Sequence, residues 1–172
     1  IESVANTAHQ PLLSLLYFSY HIYAAAVLAH YDRDWAIEHY EDVVLLIRDY
    51  ANPSVEDDAF PIFRNKDWYR GHSWASGLTE PMFGNIMNQE STSEAIAAYE
   101  SVALFGKVMT SIFQDTGDND KVSVAKMMYN VGLALTATEI RSTQKYWQVR
   151  QNVDDTEKRF PRPYTEIGRA HV

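Results

Sequence analysis

The sequence predicts an all-α fold. Apolar residues recur at helical spacing in several segments of the 172-residue chain, and no convincing pair of strands accompanies them. Apolar residues make up 46% of the composition, enough for a globular core in one domain of ordinary size. Proline, glycine and short polar runs separate the helical segments, as expected for helices joined by loops.

The N-terminal half predicts two helices. Pro11 to Ala29 has apolar residues on most faces, which suits a buried helix. Asp34 to Tyr50 alternates apolar and charged residues at helical spacing, which predicts a single amphipathic helix. Pro53 stops that helix, and residues 51–66 form a loop.

The C-terminal half predicts two longer helices after a loop region. Gly71 to Leu78 is a short helix or turn, and Thr79 to Gln89 is a loop. Ser91 to Met109 is a helix, Gln114 to Asp120 a polar turn, and Lys121 to Gln151 a long helical stretch. Loops of this length are uncommon in a compact helical domain unless they carry function.

Composition excludes several classes of function. The net charge of −8 argues against a nucleic-acid groove or an anionic membrane surface. The longest apolar run, Ile22 to Ala29, is too short to span a bilayer. The absence of cysteine excludes disulfides and thiolate chemistry, and the histidines lack metal-ligand spacing. The sequence therefore predicts no nucleic-acid or membrane partner, no metal and no cofactor.

Two short blocks combine aromatic residues with carboxylates. Residues 67–77 read Asp-Trp-Tyr-Arg-Gly-His-Ser-Trp-Ala-Ser-Gly, and residues 88–99 read Asn-Gln-Glu-Ser-Thr-Ser-Glu-Ala-Ile-Ala-Ala-Tyr. Each block lies where a loop runs into a predicted helix. Carboxylates transfer protons in glycoside hydrolysis, and flat aromatic faces stack on pyranose rings. The blocks therefore indicate a site that cleaves sugars.

The same residues also have structural interpretations. Ser91 and Glu94 fit a capping box in which Glu94 reaches back to the N-cap residue. Glu90 precedes the cap, where helix N–H groups favour an ionised carboxylate suited to a general base, or it is a solvated loop acid. His72 alone would more often be a structural histidine. Three aromatic residues are either core or the rim of a binding site: Trp68, Tyr69 and Trp74.

Three further runs extend the pattern along the chain. They are Tyr23-Ala-Ala-Ala-Val-Leu-Ala, Phe60-Pro-Ile-Phe-Arg-Asn and Ala137-Thr-Glu-Ile-Arg-Ser-Thr-Gln-Lys-Tyr-Trp. Together with the two blocks, in this order, they resemble glycoside hydrolase family 81, the endo-1,3-β-glucanases. The resemblance implies a β-sandwich domain followed by an (α/α)6 toroid. Residues 20–165 would then be part of the toroid, and the predicted fold is all-α with an incomplete (α/α)6 ring.

The resemblance also implies a reaction and a set of site residues. The family cleaves β-1,3-glucans internally with inversion, which needs one carboxyl as acid and one as base, roughly 6.5–9.5 Å apart. Glu90 is implied as the general base, with Glu94 beside it as a second catalytic residue. The substrate-binding residues implied for the glucan cleft are Asp67, Trp68, Tyr69, His72, Trp74 and Gln89. We expect one concave surface, with Glu90 within about 15 Å of His72.

The chain departs from the family pattern at its N-terminal end. In the family, a segment resembling Asn-Asp-His-His-Phe-His-Tyr-Gly supplies the likely acid, an aspartate, directly before the tyrosine–alanine run. Here Leu13 occupies that place, and leucine cannot deliver a proton. We therefore interpret residues 1–19 as a segment outside the family pattern, encoded by a retained intron. Residues 166–172 are compatible with a translated sequencing adapter.

Two functions from different classes remain open at this point. One is an endo-1,3-β-glucanase whose general acid is missing from this chain. The other is a non-catalytic glucan-binding pseudoenzyme, which Leu13 would explain directly. A polysaccharide lyase using tyrosine and histidine is a weaker third reading. For the enzyme, the expected partner is a β-1,3-glucan polysaccharide, and an extracellular or cell-wall location is expected for a full-length protein.

Overall fold

Five helices form the part of the protein that the computed structural model describes, which is residues 14–74, 89 and 91–148. They are α1 (Ser14–Tyr31), α2 (Arg33–Glu38), α3 (Tyr40–Ala51), α4 (Thr92–Thr116) and α5 (Asn119–Tyr146). Helix α4 is central, because it packs extensively against both α5 and α1. The all-α prediction is confirmed for these residues.

Helices α4 and α5 form an antiparallel hairpin whose backbones approach closely at two glycines. A Cβ atom placed on Gly106 would lie 2.5 Å from the backbone nitrogen of Tyr129. One placed on Gly132 would lie 2.5 Å from the backbone nitrogen of Ala103. Real Cβ atoms do not make non-bonded contacts this short, so the absence of a side chain at both glycines allows the helices to approach closely.

Polar residues define the helix ends locally. The Asp32 carboxylate caps α2 by accepting from the Trp35 amide at 3.0 Å. Asp118 caps α5 by accepting from the Lys121 amide at 3.1 Å. Between α4 and α5, Gly117 has φ = 77°, a left-handed conformation that glycine adopts without a steric penalty. The predicted turn between these helices is therefore confirmed.

The prediction of one helix from Asp34 to Tyr50 is wrong. The helix breaks at His39, whose φ and ψ of −101° and 10° are not helical, so α2 and α3 are separate. Tyr40 follows the break, and its ring packs edge-on against Phe113 at 4.9 Å and stacks with Phe105 at 6.3 Å. Tertiary packing of this kind overrides a helical sequence pattern.

Other helix boundaries also differ from the prediction. Helix α4 continues beyond Met109 to Thr116, because Ile112 and Phe113 extend its buried face. Helix α5 starts at Asn119, two residues before the predicted Lys121. Residues 71–74 are not helical, which agrees with the turn given as one alternative for Gly71 to Leu78; residues 75–78 lie outside the described part of the chain.

Several apolar side chains on α1 face solvent. Tyr20 is 62% exposed, Tyr23 55% and Tyr31 82%, whereas Ile22 and Ala26 on the other side are buried in the core.

Among the described helices, α4 is long and apolar enough by composition to cross a bilayer, and 56% of that stretch is buried inside the protein. Length and composition do not separate such a helix from the core helix it forms here.

Candidate active site

Residues 65–74 form a tight reversal of the chain. An antiparallel bridge pairs Lys66 with Ser73, and the Asp67 amide donates to the His72 carbonyl at 2.9 Å. The Gly71 amide donates to the Asp67 carbonyl at 2.7 Å. Gly71 has φ = 84°, which L side chains rarely adopt, so the reversal needs glycine at this point.

The Asp67 carboxylate lies within this turn. Its Oδ1 accepts from the Arg70 amide at 3.0 Å, and its Oδ2 lies 3.9 Å from the Arg70 guanidinium. The carboxylate therefore stabilises the turn that presents the next two residues. Those residues, Trp68 and Tyr69, are 56% and 96% exposed. They are the freely accessible aromatic surface of this loop.

Two other predicted site residues of this loop are buried. His72 is 1% exposed and Trp74 is 9% exposed, and their rings meet edge-to-face at 4.6 Å. Trp147 closes the cluster, 5.3 Å from His72 and 6.3 Å from Trp74. The His72 Nδ1 lies 3.0 Å from the Ser73 carbonyl oxygen. The cluster anchors the loop to the C-terminal end of α5.

A fully buried glutamate on α5 lies behind the loop. Glu139 is 0% exposed, and its Oε2 accepts from the Ser73 amide at 2.8 Å and from Lys66 Nζ at 3.1 Å. Its Oε1 accepts from Gln89 Nε2 at 2.8 Å and from Ser73 Oγ at 3.2 Å. One carboxylate therefore joins three positions of the chain that are distant in sequence.

Lys66 balances the charge of this glutamate. The Lys66 side chain is completely buried, and Nζ also donates to the Gly71 carbonyl at 2.7 Å. Burial lowers the pKa of Lys66, while the attraction and hydrogen bond of Glu139 act in the opposite direction. Both side chains are shielded from solvent, so the charge of each residue depends on the other for compensation.

Glu139 lies in one of the runs that resemble the family, but the sequence pattern assigned it no role in the site. A signal was present. Leu135, Ser142 and Thr143 are buried on the same face of α5, and Glu139 falls in their register. A carboxylate in the buried register of an amphipathic helix requires donors from elsewhere in the fold.

The N-terminus of α4 holds the second predicted catalytic residue. Ser91 is the N-cap, as predicted, and its Oγ accepts from the Glu94 amide at 3.3 Å. The Glu94 carboxylate does not complete a capping box: Oε1 accepts from the Tyr20 hydroxyl at 2.7 Å, and the Ser91 amide donates to the Gln89 carbonyl. The hydrogen bond to Glu94 raises the pKa of Tyr20 above its usual value.

These contacts relate some of the predicted site residues to one another. Gln89 is joined through Glu139 to the loop that carries Asp67 and Trp68. Glu94 is joined to α1 through Tyr20. Glu90 lies outside the described residues, so its distance from His72 and the shared cleft stay predictions.

A cavity of about 260 Å³ lies in a different part of the molecule. It is enclosed by α3, α4, α5 and the loop after α3, and its lining is mostly apolar. None of the predicted site residues that the structure describes lines it. The cavity is therefore separate from the candidate active site.

Comparison with known proteins places this geometry in a family. The model of the glycosyl hydrolase family 81 C-terminal domain matches residues 15–165. A glucan endo-1,3-β-D-glucosidase of Acetivibrio thermocellus is 38% identical over 133 residues, covering 76% of this chain and 15% of that protein. One of Glycine max is 34% identical over 153 residues, covering 88% of this chain and 20% of that protein.

A solved structure agrees with the sequence relatives. A mutant of a glycoside hydrolase family 81 protein from Clostridium thermocellum superposes with a TM-score of 0.66 at 33% sequence identity. The match covers 82% of this chain and 18% of that one. The chain thus spans a fifth or less of the length of these relatives. It belongs to glycoside hydrolase family 81, and its residues 15–165 correspond to the C-terminal domain of that family.

Proposed function

We propose that the full-length product of this gene is an inverting endo-1,3-β-glucanase that hydrolyses internal bonds of a β-1,3-glucan such as laminarin or callose. The observation that carries the proposal is the family match over residues 15–165, together with relatives named glucan endo-1,3-β-D-glucosidase at 34–38% identity. Another relative is the primary septum glucan endo-1,3-β-D-glucosidase of Schizosaccharomyces pombe, 38% identical over 117 residues. It supports a glucan of a cell wall as the substrate class.

Glu90 acts as the general base in this proposal. It takes a proton from the water that attacks the anomeric carbon, opposite the acid that protonates the leaving oxygen. It stands between Gln89, held by Glu139, and the Ser91 cap of α4. Glu94, whose carboxylate accepts from the Tyr20 hydroxyl, is the neighbouring acid along the chain.

The loop of residues 65–74 forms one side of the glucan cleft. Trp68 and Tyr69 offer exposed rings for stacking on glucose units. Asp67 holds the turn beneath them, and the buried pair of His72 and Trp74 supports the loop from behind. Gln89 completes the substrate-binding set.

The test is glucan cleavage by the full-length gene product. Wild-type protein should release sugars from laminarin as the inverted anomer, observable by proton NMR at early times. Glu90→Gln should abolish cleavage, because an amide cannot accept the proton of water. Glu100→Gln is the matched control, since Glu100 is an exposed glutamate on α4, ten positions further along the chain. Full activity in the Glu90→Gln protein would transfer the role of base to Glu94.

The 172-residue chain by itself should show no measurable laminarin cleavage. Leu13 stands at the position of the acid, and loss of general-acid assistance costs about 10²–10⁴-fold in rate.

The same leucine favours a second candidate, a non-catalytic glucan-binding protein. The two candidates separate in the full-length product: binding to laminarin without any cleavage would support the second and overturn the first.

A further inference from the structure

The Glu139 carboxylate is satisfied by donors on both oxygens. Ser73 and Lys66 donate to Oε2, and Gln89 and Ser73 donate to Oε1, at distances from 2.8 to 3.2 Å. Two of these donors, the Ser73 amide and the Lys66 ammonium, have no acceptor capacity. The site is therefore built for a carboxylate and matches no other side chain as well.

The donors lie in, or directly beside, the two blocks that carry the proposed chemistry. Lys66 and Ser73 lie at the two ends of the turn that presents Trp68 and Tyr69. Gln89 directly precedes Glu90 in the chain. Glu139 lies on α5, which belongs to neither block, and its carboxylate joins Ser73 of the first block to Gln89 of the second.

We infer that Glu139 is a positioning residue of the glycosidase site, which fixes the segment bearing Glu90 relative to the loop bearing Trp68 and Tyr69. It is not a catalytic residue, because it is completely buried and its carboxylate oxygens accept from Lys66, Ser73 and Gln89 inside the described part of the protein. The inference rests on the function proposed above. It adds a residue that acts through Gln89 on the base Glu90, and through Ser73 on the loop that bears Trp68 and Tyr69.

The chemistry of the donors specifies what a substitution does. In Glu139→Gln, the new amide group must replace one of the two oxygens. At Oε2 it would face the Ser73 amide and the Lys66 ammonium, which are both donors. At Oε1 it meets Gln89 and the Ser73 hydroxyl, which can reverse their roles. The substitution therefore keeps the shape of the side chain but weakens the anchoring of Gln89 and removes the charge that compensates Lys66.

The test compares kinetic constants of the full-length gene product with those of Glu139→Gln on laminarin. Misplacing a catalytic group by about 1 Å can cost roughly 10²-fold, so we expect kcat per folded molecule to fall about 10–100-fold. KM should change by less than about threefold, because the exposed rings of Trp68 and Tyr69 still bind glucan. Glu100→Gln on the exposed face of α4 should leave both constants unchanged.

A second variant covers the case in which Glu139→Gln does not fold. Combining Lys66→Met with Glu139→Gln removes both charges, so no buried ion is left unpaired. The double variant should fold and still show the reduced kcat. Wild-type kcat in either folded variant would overturn the positioning role and leave the proposed function intact. A wild-type protein that does not cleave laminarin would overturn the proposed function and, with it, this inference.

Discussion

Asp57 is held by a two-point interaction with Arg48. The Arg48 Nε and Nη2 atoms both donate to the Asp57 carboxylate at 2.8 Å, and the guanidinium also lies 4.8 Å from the centre of the Phe60 ring. The Asp57 carboxylate accepts in addition from the backbone amides of Ala59 and Phe60. One acid therefore ties the loop after α3 back onto that helix.

Acid should release this loop. The hydrogen bonds from Arg48 lower the pKa of Asp57 from 3.8 to about 2. A depressed folded pKa stabilises the protein above the unfolded pKa, and that stability is lost as the pH falls through the folded value. Asp57→Asn should therefore lower the melting temperature at pH 6, and its difference from wild type should shrink between about pH 4 and pH 2. Thermal unfolding followed by circular dichroism across this range measures it.

The exposed Asp58 is the control for this experiment. Asp58→Asn removes an equal charge one residue away, without an Arg48 contact. It should have little effect at any pH. Equal pH dependence in the two variants would show that the Arg48–Asp57 interaction does not stabilise the loop.

At the scale of helices, the α4–α5 crossing is set by Gly106 and Gly132. Each has backbone of the opposite helix within 2.8 Å of the place where a Cβ would stand. Backbone atoms cannot move aside as the end of a flexible side chain can. The approach of these two helices is thus fixed by absent side chains as much as by the residues packed around them.

Gly106→Ala and Gly132→Ala should each destabilise the protein. Alanine is the better helix former, which alone would stabilise by about 1 kcal/mol. Overpacking against a backbone costs about 1–3 kcal/mol or more, so the clash should prevail. Denaturant unfolding monitored by circular dichroism measures the change. Asn130→Ala, an exposed substitution on α5, should be neutral or slightly stabilising. Equal stability of all three variants would contradict the close approach.

The sequence predicted what depends on local pattern. The Ser91 cap, the turn at Gly117 and the existence of the long helices follow from hydrogen-bonding residues and periodicity within one segment. The break at His39 does not, since it accompanies the packing of Tyr40 against α4, far away in sequence. Helix pattern alone cannot show which face a distant helix will cover.

In the candidate site, too, the features that depend on local sequence were predictable and those that depend on the fold were not. The residue types and motifs of the site were visible in the two blocks, because glycoside hydrolysis needs carboxylates for proton transfer and aromatic faces suit sugar rings. The separation of exposed Trp68 from buried Trp74 was not visible, since both lie in one short aromatic run. Glu139 was missed as a site residue because its donors are contributed by residues 66, 73 and 89, which only the fold brings together.

For the molecule as a whole, the outer face of α1 is the clearest apolar surface among the described residues. Tyr23, Val27 and Tyr31 recur along one side of that helix and are at least 43% exposed. On α5, Met127 and Leu133 are also exposed. Contiguous apolar surface of this kind favours association with other surfaces.

The isolated 172-residue chain should therefore be helical, marginally stable and prone to self-association. Light scattering after size exclusion should show species larger than a monomer at micromolar concentrations, and thermal unfolding should be broad. Val27→Glu with Tyr31→Glu should reduce the association. Ala137→Glu, on an exposed part of α5, is the control for added negative charge. A monomeric wild type with a sharp two-state transition would contradict this prediction.

The buried pair of Lys66 and Glu139 also imposes an order on folding during synthesis. The two residues are 73 positions apart, and Ser73 is 66 positions from the same glutamate. At roughly 5–20 residues per second, a ribosome needs on the order of 4–15 s to reach codon 139 after codon 66. During that interval the lysine of the loop of residues 65–74 has the Gly71 carbonyl as an acceptor but lacks the carboxylate that compensates its charge. The native arrangement of this loop in a nascent chain can therefore form only after α5 has been synthesised.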